Sequence, residues 1–389
     1  MAIPPELQQM IAQARQQNPQ LAAMPDEVVA MLILQALQEQ QGQTQARVPT
    51  DEAELKKLPL EQIGAIGEQM MNTGRWHEAE KVFFVGLQKA EEENDVPLHT
   101  KFSSILGRLC SDRGDFPQAV ALFQQTLTLA ERSGDQRLMG VVYDMMGSTY
   151  LMQGGYPQAI EYYKKSLENS ERIGDEHQLA VGYGNLGTVY LRQGDYEQAI
   201  QAYGKGLELS IKLGDDQGTA NEYGNLGNVC LLQGQYDLAI EMYQKSLEIK
   251  LRIGDQQGTA NTYGNLGILH RELGNYKIAL QMHQKALEID ERIGDEPNAA
   301  KQYGNLAAVY QEMGNVGQAL AYYHKSLNIL ERIGDRYSAA GTYFNLGLLY
   351  HGQGDREQAR AHYEKAKALF EMLGVAQWAQ RAAQELRGL

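Results

Sequence analysis

Cysteine occurs only twice in 389 residues, at Cys110 and Cys230, so no disulfide framework is implied. Both thiols read as small buried apolar residues. Positive charge is also short. Acidic residues outnumber basic ones 49 to 35, a formal net charge of -14. Binding to a phosphate backbone runs on clustered Lys and Arg, which argues against a nucleic-acid partner and against an anionic membrane surface. Long apolar runs are missing. The strongest, residues 28–37, is about half of what spans a bilayer. No secretory signal is visible, which predicts a cytoplasmic location. HExxH, P-loop and GxSxG patterns are absent, and the eight histidines are scattered. The expectation is a chain with no cofactor, no metal and no catalytic site.

What the chain has in abundance is repetition. Tyr-Gly-Asn-Leu-Gly stands at 183–187, 223–227 and 263–267, and returns altered at 303–307 and 343–347. Each copy starts forty residues after the last, without insertion. A strict period of this size marks a solenoid of repeated supersecondary units. Eight windows of forty, opening at Leu60, Thr100, Gly140, Ala180, Ala220, Ala260, Ala300 and Ala340, run over residues 60–379. In the window from Ala220, Tyr223, Leu226, Gly227 and Cys230 share one face of a first helix. Tyr236, Ala239, Ile240, Tyr243 and Leu247 share one face of a second.

The boundaries are written in glycine and aspartate. Gly234 and Gly254 close the two helices, and Asp255 sits where the next first helix needs its N-cap. The same Gly-Asp pair recurs at 134–135, 174–175, 214–215, 294–295 and 334–335. Between the two helices of a repeat, the expected cap is Asp115, Asp195, Asn275, Asn315 or Asp355. Alanine holds all eight of Ala79, Ala119, Ala159, Ala199, Ala239, Ala279, Ala319 and Ala359. Glycine fills seven of eight matching sites from Gly67 to Gly347, with Ala307 the exception. Small residues at fixed points predict close helix approach. His270 and His283 stand where other repeats have aromatics, so they read as packing residues.

The ends depart from the period. Residues 1–58 carry two amphipathic patterns, Leu7, Met10, Ile11, Ala14 and Val28, Val29, Leu32, Ile33, Leu37, then a polar linker. They read as a helical cap on the first repeat or as a docking arm. Residues 375–389, with Trp378, read as a C-terminal capping helix. The first window is weak: Ile63, Ile66, Met70 and Trp76 keep only the pattern of bulk.

On these positions the chain resembles the tetratricopeptide repeat family. Its pattern appears in the window from Ala180 as Tyr183, Leu186, Gly187, Tyr190, Ala199, Tyr203 and Gly206. The period is forty rather than the usual thirty-four, and an Ile/Leu-Gly-Asp turn replaces the family's loop proline. This long form is similar to Pins-type polarity adaptors and to bacterial proteins of the same kind. The resemblance implies an all-α, right-handed superhelical solenoid of about eight helix-turn-helix repeats with helical caps. Its first helices would line a concave groove.

The resemblance also implies that positions 2, 5, 6 and 9 of each window face that groove. The expected peptide-binding residues there are Asn185, Asn221, Asn225, Asn228, Asn261, Asn265, Lys301, Asn305 and Asn345. An asparagine amide both donates and accepts. A column of them, on repeats about 10 Å apart, can hold an extended chain at every third residue, ~3.3 Å each. The alternative is that these amides bond a neighbouring helix. Gly184, Gly224, Gly264 and Gly304 at position 5 each cost about 1 kcal/mol of helix stability, so a helix or a ligand backbone is expected close to them. Ile105, Val141, Met145 and Val181 predict an apolar section toward the N-terminus. Co-chaperone members of the family clamp a C-terminal carboxylate. Asn228, Asn265 and Lys301 match three of the five clamp positions, while Gly224 and Asn305 stand where Lys and Arg are required. The function expected is a non-enzymatic scaffold binding a protein or peptide segment. Two alternatives stay open: a self-assembling homo-oligomeric solenoid, and a sensor of a short signalling peptide.

Overall fold

A computed structural model describes residues 51–389. The expected cap or arm falls, up to residue 50, outside the described residues. After a single turn, α1 (Glu52–Leu55), the helices come in pairs. They are α2 (Leu60–Asn72) with α3 (Trp76–Glu92), and α4 (Val96–Asp112) with α5 (Phe116–Ser133). Next are α6 (Gln136–Gln153) with α7 (Tyr156–Ile173), and α8 (Glu176–Gln193) with α9 (Tyr196–Leu213). Then come α10 (Asp216–Leu232) with α11 (Tyr236–Ile253), and α12 (Gln256–Glu272) with α13 (Tyr276–Ile293). The last pairs are α14 (Glu296–Glu312) with α15 (Val316–Ile333) and α16 (Arg336–Gly352) with α17 (Arg356–Met372), followed by α18 (Ala376–Gly388). No strand occurs among the described residues.

The chain divides into two compact units, with the division inside α5 between Leu129 and Ala130. In the second unit each hairpin is the tightest pairing, and each second helix then packs on the following first helix. Successive first helices also touch: α8 meets α10, α10 meets α12, and α12 meets α14. The first helices from α8 to α14 therefore form one continuous layer.

Local chemistry sets the helix ends. Gly254 takes φ +75, a left-handed conformation that closes α11. Asp255 Oδ1 then accepts from the Gly258 N–H at 2.8 Å and caps α12. The same bond caps α6, α8, α10, α14 and α16 from Asp135, Asp175, Asp215, Asp295 and Asp335. Within hairpins, Asp115, Asp195, Asn315 and Asp355 also cap. Asn275 holds the cap position but its side chain makes no capping bond, contrary to expectation.

The packing glycines have a specific partner. A Cβ on Gly67, Gly147, Gly187, Gly227, Gly267 or Gly347 would lie 2.5 to 2.8 Å from a ring of the second helix, and closer still at Gly107. The ring is Phe83, Phe123, Tyr163, Tyr203, Tyr243, His283 or Tyr363 in turn. Seven of the eight repeats thus seat one second-helix ring on the bare backbone of the first helix, the repeat with Ala307 being the exception. The eight aligned alanines are all at 0 % exposure. His283 occupies the ring position and is fully buried, as its register implied. A lysine lies over the first-helix tyrosine in five successive repeats, from 5.0 Å at Lys205–Tyr183 to 5.5 Å at Lys245–Tyr223.

At the C-terminal end the pattern changes to suit α18. Phe344 replaces the position-5 glycine and meets Trp378 edge-on at 5.7 Å. Trp378 stacks on Phe370, and Arg381 lies over its ring. In the first unit Ile63 and Met70 are buried, but Trp76 is 53 % exposed at the first turn of α3, so it is not a core residue. Cys110 and Cys230 are buried free thiols, and burial pushes both pKa values up.

Candidate binding face

The first helices carry all nine expected binding residues, from Asn185 on α8 to Asn345 on α16. Asn185, Asn225, Asn228, Asn265, Asn305 and Asn345 are half-buried, whereas Asn221, Asn261 and Lys301 are exposed. The fold itself engages several of them. Asn228 Oδ1 accepts from the Tyr243 hydroxyl at 2.6 Å and from Asn265 Nδ2 at 3.3 Å. These two amides therefore tie α10 to both α11 and α12. The same position serves the ring in neighbouring repeats: Tyr203 donates to Thr188, and Ser148 bonds the Tyr163 hydroxyl. Asn225 donates to Glu222 at 3.3 Å, and Asn221 accepts from Gln217 at 3.3 Å.

Other amides are left over. The side-chain amides of Asn185, Asn261 and Asn345 hydrogen-bond no other described residue. Asn305 Nδ2 is buried without a partner. An unpaired polar atom out of water costs about 1–3 kcal/mol, so native structures rarely keep one without cause. The column thus splits in two. Asn228 and Asn265 serve the fold, and Asn185, Asn305 and Asn345 are not used by it. That split also takes two of the three matched residues out of any carboxylate clamp.

Something does lie close to two position-5 glycines, and it is neither a helix nor a ligand backbone. The Glu222 carboxylate covers Gly184, and Gln302 Nε2 sits 3.0 Å from the place of a Gly264 Cβ. Both side chains come from position 3 of the following first helix. Gly224 and Gly304 meet only the hydroxyls of Ser246 and Ser326, at 3.5 and 3.7 Å. Sequence reasoning did not single out position 3. The signal was present, since its residues are Gly182, Glu222, Thr262, Gln302 and Thr342, two long polar side chains among small ones.

Glu222 is 7 % exposed. Burial pushes its carboxyl up to about 7, against the lowering effect of the Asn225 amide. Asp144 behaves alike on α6: burial pushes it up to about 7, opposed by donors that include Gln178. His283 bonds Gln302 at 3.0 Å, and burial holds its imidazole down at about 4.

A cavity of about 220 Å³ opens between α8 and α10. It brings together Asn185, Asn221 and Asn225 with Val181, Thr188 and Glu222. Val181 was expected in a separate apolar section; it lines this polar cavity instead. Ile105 belongs to the first unit, and Val141 and Met145 are half-buried on α6. A larger cavity, about 470 Å³, is lined by Leu330, Arg336, Tyr343, Lys365 and Leu369 and contains none of the nine residues. Among the described residues, no group of three or more His, Cys, Asp or Glu side chains is placed to hold a metal ion. None of the described helices is long and apolar enough to cross a membrane.

A family model described as Tetratricopeptide repeat matches residues 100–172, 138–212, 178–252, 216–292 and 298–372. Among solved structures, the chain is similar to a signal transduction ATPase with numerous domains and a tetratricopeptide repeat sensor from Pyrococcus horikoshii. That match has a TM-score of 0.59 and 18% identity, covering 83% of this chain and 50% of that one. It is also similar to aspartyl phosphate phosphatase F from Bacillus subtilis, with a TM-score of 0.58, 15% identity and coverage of 87% and 88%. A third is a Rap protein complexed with Competence and Sporulation Factor, with a TM-score of 0.53, 17% identity and coverage of 85% and 98%. At these identities the likeness is one of fold. No curated protein matches the chain by sequence.

Proposed function

Because the chain belongs to the tetratricopeptide repeat family, we propose that it is a non-catalytic protein-interaction scaffold whose first-helix layer grips an extended segment of a partner protein. The observation that carries this reading is the set of amides the fold leaves unused: Asn185 and Asn345 without a bond, and Asn305 with a buried unpartnered donor. A peptide backbone offers the complementary donor and acceptor at every residue. Each bond contributes about 0.5–1.5 kcal/mol net, so the amides set register while side-chain pockets supply the rest. The Rap protein solved with Competence and Sporulation Factor gives a case in which an array of this fold holds a partner.

The test is a random-peptide phage library panned on the full chain, followed by calorimetry with the selected peptides. The combined variant Asn185→Ala, Asn305→Ala, Asn345→Ala is expected to lose about tenfold or more in affinity with an unchanged thermal melt. Asn228→Ala is expected to lower the melt instead, since it strips the Tyr243 hydroxyl and Asn265 of their shared acceptor. Unchanged affinity in the folded triple variant overturns the reading.

A further inference from the structure

Resting on that reading, we propose that the cavity between α8 and α10 receives a cationic side chain of the bound segment, a guanidinium or an ammonium, with Glu222 as its counter-charge. Three observations lead there. First, Glu222 is 93 % withdrawn from solvent, being 7 % exposed, yet its carboxylate lines an open cavity. Among the described residues its carboxylate accepts one hydrogen bond, the 3.3 Å donation from Asn225 to Oε2. A buried carboxylate calls for a paired charge, and no Lys or Arg lines the cavity.

Second, the same cavity holds the cap aspartate Asp215, and this cap is incomplete. At three of the five other Gly-Asp caps, Asp135 and Asp335 being the exceptions with Pro97 and Pro297 in register, a side chain from the preceding first helix reaches the second oxygen. Arg137 reaches Asp175 at 3.3 Å, Gln217 reaches Asp255 at 3.1 Å, and Gln257 reaches Asp295 at 3.2 Å. The residue in register at Asp215 is His177, which is exposed and makes no such bond. Asp215 Oδ1 accepts from the Gly218 N–H at 2.9 Å, and no side chain among the described residues donates to Oδ2. Two carboxylates thus offer oxygens to one space.

Third, the room fits. A cavity of about 220 Å³ has room for the end of a long basic side chain. The glycines Gly184 and Gly206 are what allow the Glu222 carboxylate to lie in the wall, since a Cβ on Gly206 would stand 3.1 Å from it. The polarity is opposite to that needed to hold a carboxylate, so the site selects basic residues within the segment rather than an acidic terminus.

The experiment uses peptides selected on the full chain from the random library. Sequences carrying one Arg or Lys at a constant position relative to the rest are expected to dominate. Each arginine peptide is then remade with citrulline, which keeps the shape and removes the charge. A loss of at least tenfold in affinity is expected on the wild-type chain. On Glu222→Gln, which keeps the shape of the wall, arginine and citrulline peptides are expected to bind within twofold of each other. Gly184→Ala, which displaces the carboxylate without removing it, serves as a second variant and is expected to lower arginine-peptide affinity; melting curves establish that both variants fold. Peptides that bind without a basic residue, or an arginine preference intact in Glu222→Gln, overturn this inference and leave the amide reading standing. A library that yields no binder overturns both.

Discussion

At the scale of single residues, two classes of glycine that look alike in the sequence do different work. Gly227 carries the Tyr243 ring, with 2.7 Å between a Cβ and the nearest ring atom. Gly224, three residues earlier, meets only a serine hydroxyl at 3.5 Å. Gly227→Ala is therefore expected to destabilise by about 1–3 kcal/mol through overpacking. Gly224→Ala is expected to stabilise by up to about 1 kcal/mol through helix propensity. Urea denaturation compares the two; destabilisation by Gly224→Ala would contradict the room beside Gly224. Glu222 gives a second prediction. Its carboxyl sits at about 7 in the folded chain against an ordinary 4.5, so the fold binds its proton more tightly. That contribution is fully present below about pH 4.5 and is lost as pH rises through 7. Glu222→Gln is expected to match the wild type at pH 4 and to exceed its stability at pH 8 by up to roughly 3 kcal/mol. Equal stability at pH 8 would contradict the buried, unpaired carboxyl. His283, held at about 4 by burial, has the opposite sign. Its contribution is present above the ordinary histidine pKa and lost as pH falls through 4. The sequence showed that a small residue was required at Gly227, because the site repeats. It could not show that Glu222 covers Gly184, because that contact joins residues 38 apart on different helices and occurs with a long acid in one repeat only.

At the scale of the helix, the ends were legible and the exception was not. The Gly-Asp turn announces where one hairpin stops and the next begins, and the capping bonds follow in six successive turns. Asp255→Ala is expected to cost about 1 kcal/mol, the usual loss on removing a side-chain cap. Asn275→Ala is expected to cost almost nothing, since Asn275 makes no capping bond. Thermal melts of both single variants check this; equal losses would show that Asn275 caps in solution. Asparagine and aspartate at one register position look equivalent in a sequence, and only the side-chain rotamer separates them. The lysine ladder was missed for a different reason. Lys205, Lys245, Lys285, Lys325 and Lys365 recur with the same period as the tyrosines they cover. They stand on the other helix of the hairpin, and helical periodicity within one helix does not reveal a pairing across two. Each pair contributes on the order of 0.5–1 kcal/mol at an exposed site.

At the scale of the whole molecule, the forty-residue period carried the fold class, because a repeat that cannot bury its own apolar face must stack on a neighbour. That the first helices line up came from the resemblance to the tetratricopeptide repeat family, not from the period. Neither carried the division of labour among the asparagines. Asn185, Asn225, Asn265, Asn305 and Asn345 are identical in register, yet Asn265 bonds Asn228, Asn225 bonds Glu222, and Asn305 bonds nothing through its buried donor. What decides their fate is the residue within reach, on the same helix for Asn225 and on the preceding first helix for Asn265, and it varies from repeat to repeat. The proposed grip therefore rests on a subset of the column. The most direct test is the side-chain amide NMR spectrum of the chain with its asparagines labelled with heavy nitrogen, recorded with and without a selected peptide. The expected result is that the amide signals of Asn185, Asn305 and Asn345 shift on saturation, while those of Asn228 stay within the scatter of residues remote from the face. Saturable binding that leaves all three signals in place would contradict the account.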